Sequence, residues 1–283
     1  MKSTGKEELA TLLRSLSSAL RCLQGNGSIS DERAHDARKQ LKKARAVLRV
    51  LRPTVGETVY HRENRVLRDA SRAISPLRDA KAQVDILTAL RDRYPHDLPC
   101  SELGPLENRL LAKLERTRGR IRRAAPGLRR AMRSLERSRQ RLRSIASEHM
   151  RAGRVSKGLR KVYARARKSF AIAKGRATPE RLHDWRKKTK YLYNAVKSLH
   201  LRDESTPAVI GKRAHRLGDW LGEEHDLVVL SHELRKRADL LSSATKRALN
   251  SAIRRRRTRL QEKAFRLGAK TYGDRPKKAI RGL

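Results

Sequence analysis

Two stretches, HDARKQLKKARAVLRVL at residues 35–51 and HDWRKKTKYLYNAVKSL at residues 183–199, repeat one pattern at an offset of 148 residues, about half the chain. At about 100° per residue, His35, Arg38, Lys39, Lys42, Arg45 and Arg49 fall along one side of the first helix, and Leu41, Ala44, Leu48 and Leu51 along the other. In the second stretch His183, Arg186, Lys187, Lys190 and Lys197 take the same angular positions, with Trp185, Leu192, Val196 and Leu199 opposite. Each segment therefore predicts an amphipathic helix with a core face and a cation face. The residues just before them match too. Ser30-Asp31-Glu32-Arg33 and Thr178-Pro179-Glu180-Arg181 each offer a hydroxyl N-cap followed by acid in the first turn.

A second ordered pair lies downstream, LRDASRAISPLRDAKAQV from Leu67 and HRLGDWLGEEHDLVVL from His215, in which Asp79 and Asp226 stand 147 residues apart. Two ordered matches at nearly one offset point to an internal duplication. Apolar residues recur at three- and four-residue spacing almost throughout, and alternating β-branched runs are absent, so the chain reads as all-α. Breaks are expected at Gly25-Asn26-Gly27, Pro53, Pro76, Pro95 to Pro105, Gly153, Gly175 to Pro179, Pro207 and Pro276, giving eight to ten helices. The expected organisation is one repeat over about 5–140, a second over about 150–270 and a basic tail at 271–283.

Lys and Arg number 71 against 29 Asp and Glu, a formal charge of +42 on 283 residues. Such an excess repels itself unless a polyanion or dense counterions neutralise it, which turns attention to nucleic acid, polyphosphate or an anionic surface. Aromatic residues make up only 4%, too few for a binder that stacks successive bases, so phosphates are the better target. Cys22 and Cys100 have neither disulfide-scaffold nor metal-ligand spacing, which predicts a reducing cytoplasm. The N-terminus MKSTGKEELATLLRSL lacks a signal-peptide core, and no apolar run approaches the roughly 20 residues that span a bilayer. A soluble protein is expected.

A charged stripe is ordinarily a solvated face, but such faces mix Glu with Lys, each i,i+4 pair being worth about 0.2–0.5 kcal/mol. Beyond Asp36 and Asp184 at the helix starts, these stripes hold no carboxylate. Like charges one turn apart oppose helix stability, and a costly pattern present in both halves suggests a ligand. His35 and His183 are ringed by cations that would repel a metal ion but favour an anion. Imidazolium beside phosphate predicts affinity that rises as pH falls towards 6. Asp79 and Asp226 are expected in salt bridges that orient neighbouring cations, since a carboxylate would repel phosphate.

Through these two stretches, extending over VSKGLRKVYARARKSFAIAKGRATPERLHDWRKKTKYLYNAVKSL and LGDWLGEEHDLVVL, the chain resembles the CHAD family, the conserved histidine α-helical domain. The resemblance implies two pseudo-symmetric four-helix bundles whose basic stripes face a central channel that binds inorganic polyphosphate, with no cofactor or metal. It places His35, Arg38, Lys39, Lys42 and Arg49 with His183, Arg186, Lys187, Lys190 and Lys197 along that channel. Arg160, Tyr163 and Arg167 on the preceding helix are similar to further basic positions of the family. A place at polyphosphate granules is compatible with this reading. The first helix, Leu9 to Leu23, carries only Arg14 and Arg21, so the halves are expected to contribute unequally.

Three other readings stand beside it. Non-specific RNA or DNA backbone binding would use GRIRRAAPGLRRAMRSLERSRQRLR from Gly119 and Arg254 to Arg257. An enzyme acting on phosphoanhydrides would want carboxylates for Mg²⁺ beside the cations; Glu223-Glu224-His225-Asp226 is the one acidic cluster, and Gly268-Ala269-Lys270-Thr271 is not a P-loop. Membrane attachment through Arg254 to Arg266 lacks a bulky apolar face. A non-catalytic polyphosphate binder without membrane contact is the leading expectation.

Overall fold

The computed structural model describes residues 5–24, 30–123, 125–145, 152–199, 201–236 and 238–281. Among them every regular element is helical, in the order α1 (Gly5–Leu23), α2 (Asp31–Val50), α3 (Arg52–Val55), α4 (Glu57–Ala73), α5 (Ser75–Arg93), α6 (Cys100–Arg123), α7 (Ala125–Arg143), α8 (Ala152–Gly175), α9 (Pro179–Ser198), α10 (Thr206–Lys236), α11 (Ser243–Tyr272) and α12 (Pro276–Ala279). The chain is all-α, as its periodicity predicts. The Gly25-Asn26-Gly27 break lies outside the described residues.

The caps form as the sequence implies. Ser30 Oγ accepts from the Arg33 N–H at 3.2 Å and Thr178 Oγ1 from the Arg181 N–H at 3.3 Å, each satisfying one of the free donors at a helix start. Pro76, Pro179 and Pro207 sit in first turns, where no intrahelical donor is lost. The Pro95 to Pro105 break forms between Arg93 and Cys100, after which α6 runs on through Pro105, and α8 includes Gly153. At the 148-residue offset α2 and α9 have the same bounds, and α10 spans what α4 and α5 cover in the first half, where Ile74 and Pro76 divide the helix.

Among the described residues burial of the apolar stripes builds three large cores, with a small fourth one around Ala34, Leu77, Ala80 and Leu114. The first joins α1, α2, α4 and α7 around Leu12, Leu16, Leu41, Leu48, Leu67 and Leu135. The second joins α8, α9, the start of α10 and the end of α11 around Tyr163, Trp185, Leu192 and Leu217. The third packs α5 and α6 on the end of α10 and the start of α11 through Leu87, Leu106, Leu230 and Leu249. Tyr272, Ala279 and Ile280 are buried in the second core, so the basic closing segment is packed at these positions.

Helix α2 belongs to two of the large cores because its apolar arc is wider than one face. Leu41, Ala44 and Leu48 enter the first, while Ala46 and Val50 enter the second against α8. The approach to α8 is close enough that a Cβ on Gly158 would lie 1.8 Å from the Val50 carbonyl oxygen. Gly158→Ala must push two backbones apart, an overpacking cost of about 1–3 kcal/mol or more. A thermal melt is expected to show a midpoint lower by about 3–10 °C. An unchanged midpoint would show that α2 and α8 separate freely.

Buried ion pairs tie the helices together. Glu63 on α4 is inaccessible and accepts from Nε and Nη2 of Arg141 on α7, each at 2.8 Å. On α10, Glu223 accepts from Arg256 Nη2 at 2.7 Å and Glu224 from Arg257 Nη2 at 2.9 Å. Both glutamates of the 223–226 cluster thus hold α11 in place.

Candidate anion-binding site

Helices α2 and α9 pack against each other, and their cation faces meet instead of turning outward. Arg38, Lys42 and Arg45 from α2 and His183, Arg186, Lys187 and Lys190 from α9 line one cavity of about 480 Å³. The rest of its wall includes Arg78, Asp79 and Gln83 of α5, Tyr191 and Asn194 of α9, and His225, Asp226 and Val229 of α10. A second cavity, of about 530 Å³, opens on the other side of the same seam, between α4 and α8. It is lined by Arg38, Lys42, Arg45, Arg49, Asn64, Arg68, Arg72, Arg165, Lys187, Lys188 and Tyr191. Arg38, Lys42, Arg45, Lys187 and Tyr191 face both cavities, so the two meet along the α2–α9 seam.

Several of these cations are held in place by uncharged partners. Arg38 donates to the Ser75 carbonyl at 3.0 Å. Arg45 donates to Asn64 Oδ1 at 3.2 Å. Arg49, nearly buried, donates to the Arg45 carbonyl at 2.7 Å and lies 3.6 Å from the centre of the Tyr191 ring. Such contacts fix a guanidinium without neutralising it. Asp79 and Asp226 line the first cavity but do not form the expected salt bridges among the described residues. Asp79 attracts Arg38 and Asp226 attracts Arg186 from a distance, and burial raises the Asp226 carboxyl.

Burial, with crowding of like charge behind it, shifts the lysines strongly. Burial, then Arg38, Lys190, Arg78 and Arg186, lowers the Lys42 ammonium to about 7, although its side chain remains in contact with water. Burial, Arg186 and Arg78 lower Lys190 to about 8. In both cases neighbours of the same sign oppose the charged form. The site is built to gain from an anion.

His183 has a neighbour that the sequence reading did not pair with it. Its Nδ1 lies 3.3 Å from Nδ1 of His225, with ring centres 4.4 Å apart. Burial, Arg186 and Lys187 lower His183, while burial, Arg186, His183 and Lys190 bring His225 to about 4. The imidazolium expected beside a bound phosphate is therefore not the form favoured in the free protein at His183 and His225. A buried pair among cations favours the neutral rings.

Not every residue singled out from sequence reaches the seam. His35 is exposed and lines a neighbouring cavity of about 430 Å³ with Ala34, Ile74 and Leu77, which shares only Arg38 and Arg78 with the first. Lys39, about 100° round the helix from Arg38, is exposed and outside both seam cavities. Lys197 is exposed beyond their end and donates to the Tyr193 hydroxyl at 3.2 Å. Tyr163 is removed from the binding set, because it is fully buried and its hydroxyl donates to the main-chain carbonyls of Thr271 and Asp274 at 3.1 and 3.0 Å. Arg167 donates to the Tyr272 carbonyl at 3.0 Å and Arg160 lines neither cavity, whereas Arg165 of the same helix does. Arg68, Arg72 and Arg165 were not foreseen, since no repeat or stripe marks them.

No helix of the described residues is long and apolar enough to cross a membrane. A search of curated proteins found no match. The family model of the CHAD domain matches residues 14–235, which includes α2, α9 and both walls of the seam. With that match over most of its length, the chain belongs to the CHAD-domain family.

Proposed function

We propose that the protein binds inorganic polyphosphate along the α2–α9 seam and does not transform it chemically. The observation that carries this reading is the meeting of two cation rows in one cavity, Arg38, Lys42 and Arg45 opposite Arg186, Lys187 and Lys190. Polyphosphate presents closely spaced anionic oxygens on a flexible thread. Fixed guanidinium groups can grip these oxygens in pairs, and ammonium groups add point charge. Both seam cavities share a row of lining residues, which suits a thread more than a single compact anion. A duplex or folded RNA would have to bring its phosphates into a cleft between packed helices. The cytoplasm, where polyphosphate granules form, is the compartment proposed for this activity.

Titration with long-chain polyphosphate at about 50 and 200 mM salt, with structured RNA as competitor, tests the reading. As contacts release counterions, affinity is expected to fall by roughly 10³ or more over that range if six or more phosphates are held. RNA is expected not to displace the polymer at the higher salt. Efficient displacement by RNA would reverse the ranking in favour of a nucleic-acid backbone binder.

A further inference from the structure

A second basic groove lies outside the seam. It is a cavity of about 410 Å³ formed by Arg109, Lys113, Arg116 and Arg120 of α6 with Glu233 and Lys236 of α10. The four α6 cations are spaced by four, three and four residues, which puts them within about 60° of one another along roughly 16 Å of helix. Lys113 pairs with Glu233 at 2.9 Å. The nearest acid on the helix itself, Glu115, pairs with Arg118 instead. Among the described residues Arg109, Arg116 and Arg120 have no ion pair. Like the seam, this groove lines up cations at a spacing that opposes helix stability.

The groove also stands in a definite relation to the seam. Asp226 and Val229 of α10 line the first seam cavity, while Glu233 and Lys236 line the groove. Their spacing of three, four and three residues keeps all four within about 80° on α10, and Val229 and Glu233 are only about 6 Å apart along its axis. One face of α10 therefore leads from the seam to the α6 cations. The geometry points to the α6–α10 groove as an outer subsite that holds the continuation of the same polyphosphate chain after it leaves the seam.

This inference rests on the proposed function and predicts a dependence on chain length. Short oligophosphates occupy the seam alone, and long chains reach both sites, so that the second contact is made at the high effective concentration of a tethered segment. Arg116→Gln with Arg120→Gln removes two exposed charges from the groove, and unchanged melting will show that the fold is kept. The variant is expected to bind tripolyphosphate as the wild type does, and long chains about tenfold more weakly, with the salt slope reduced by about 1.5. Long-chain affinity and slope equal to wild type would overturn the subsite. So would equal weakening for both lengths, which marks a general effect of net charge, or a loss confined to RNA, which marks a nucleic-acid groove. Lys42→Glu with Lys190→Glu, run in parallel, separates the two readings. If it spares both lengths, the seam itself is misassigned; if it abolishes tripolyphosphate binding while the groove variant behaves as wild type, only the outer subsite fails.

Discussion

Reversing one cation on each wall of the seam, Lys42→Glu with Lys190→Glu, is expected to weaken polyphosphate binding by about 10²–10⁴-fold while leaving the fold intact. Both ammonium groups line the first cavity, one from α2 and one from α9, and each is surrounded by further cations. A hydrogen bond to a charged group is worth about 1.5–3 kcal/mol, so loss of two removes about 3–6 kcal/mol. Each introduced carboxylate would also repel the polymer. The free protein is expected to gain from the same change, because a carboxylate at these positions faces Arg38, Arg78 and Arg186 in place of a like charge, against a smaller repulsion from Asp219 and Asp226 at position 190. Lower affinity with an equal or higher melting midpoint is the expected signature. Retained affinity would reject the seam as the binding site, and a collapse in stability would mean that these lysines serve the fold.

That combination follows from how the chain is patterned. The bounds of α2 and α9 were legible because three signals coincide at each: a hydroxyl cap, an apolar row at three- and four-residue spacing and a row of cations. Arg38, Lys42, Arg45, Arg186 and Lys190 were legible as a set for the same reason. What the two rows face was not legible from periodicity, because a helical wheel says which residues share a side and nothing about what lies opposite. His225 is 42 residues from His183 and meets it only when α10 folds onto α9. Tyr163 read as a ligand contact, but α11 folds back over it and provides main-chain acceptors for its hydroxyl. Arg165 was passed over for Arg160 and Arg167, since which side of α8 turns to the seam depends on the contact of Gly158 with Val50. The pKa values of Lys42 and Lys190 belong to this same class of tertiary property.

Those two lysines, and not the histidines, are expected to set the response to pH. In the free folded protein burial and neighbouring cations lower Lys42 to about 7 and Lys190 to about 8, against 10.5 for an unperturbed lysine. The unfolded chain therefore binds more protons than the folded one between about pH 7 and 10.5, and stability rises with pH across that window. The thermal midpoint of the free protein is expected to climb from pH 7 to 9.5, by less than the two shifts alone imply because Lys42 is exposed and screened by solvent, and Lys42→Met with Lys190→Met should flatten the climb. Polyphosphate reverses the preference, since a bound anion favours the ammonium form and restores a higher pKa. Binding then takes up roughly one to one and a half protons near pH 8, and affinity falls by on the order of a hundredfold between pH 7 and 9. Below pH 6.5 both lysines are already largely charged and the curve should level off. Calorimetry in two buffers of different ionisation enthalpy counts the protons, with long chains used because their internal phosphates do not titrate in this range. An affinity that stays flat from pH 7 to 9 and rises only below pH 6.5 would return the role to His183 and His225, and would mean that the seam lysines do not touch the polymer.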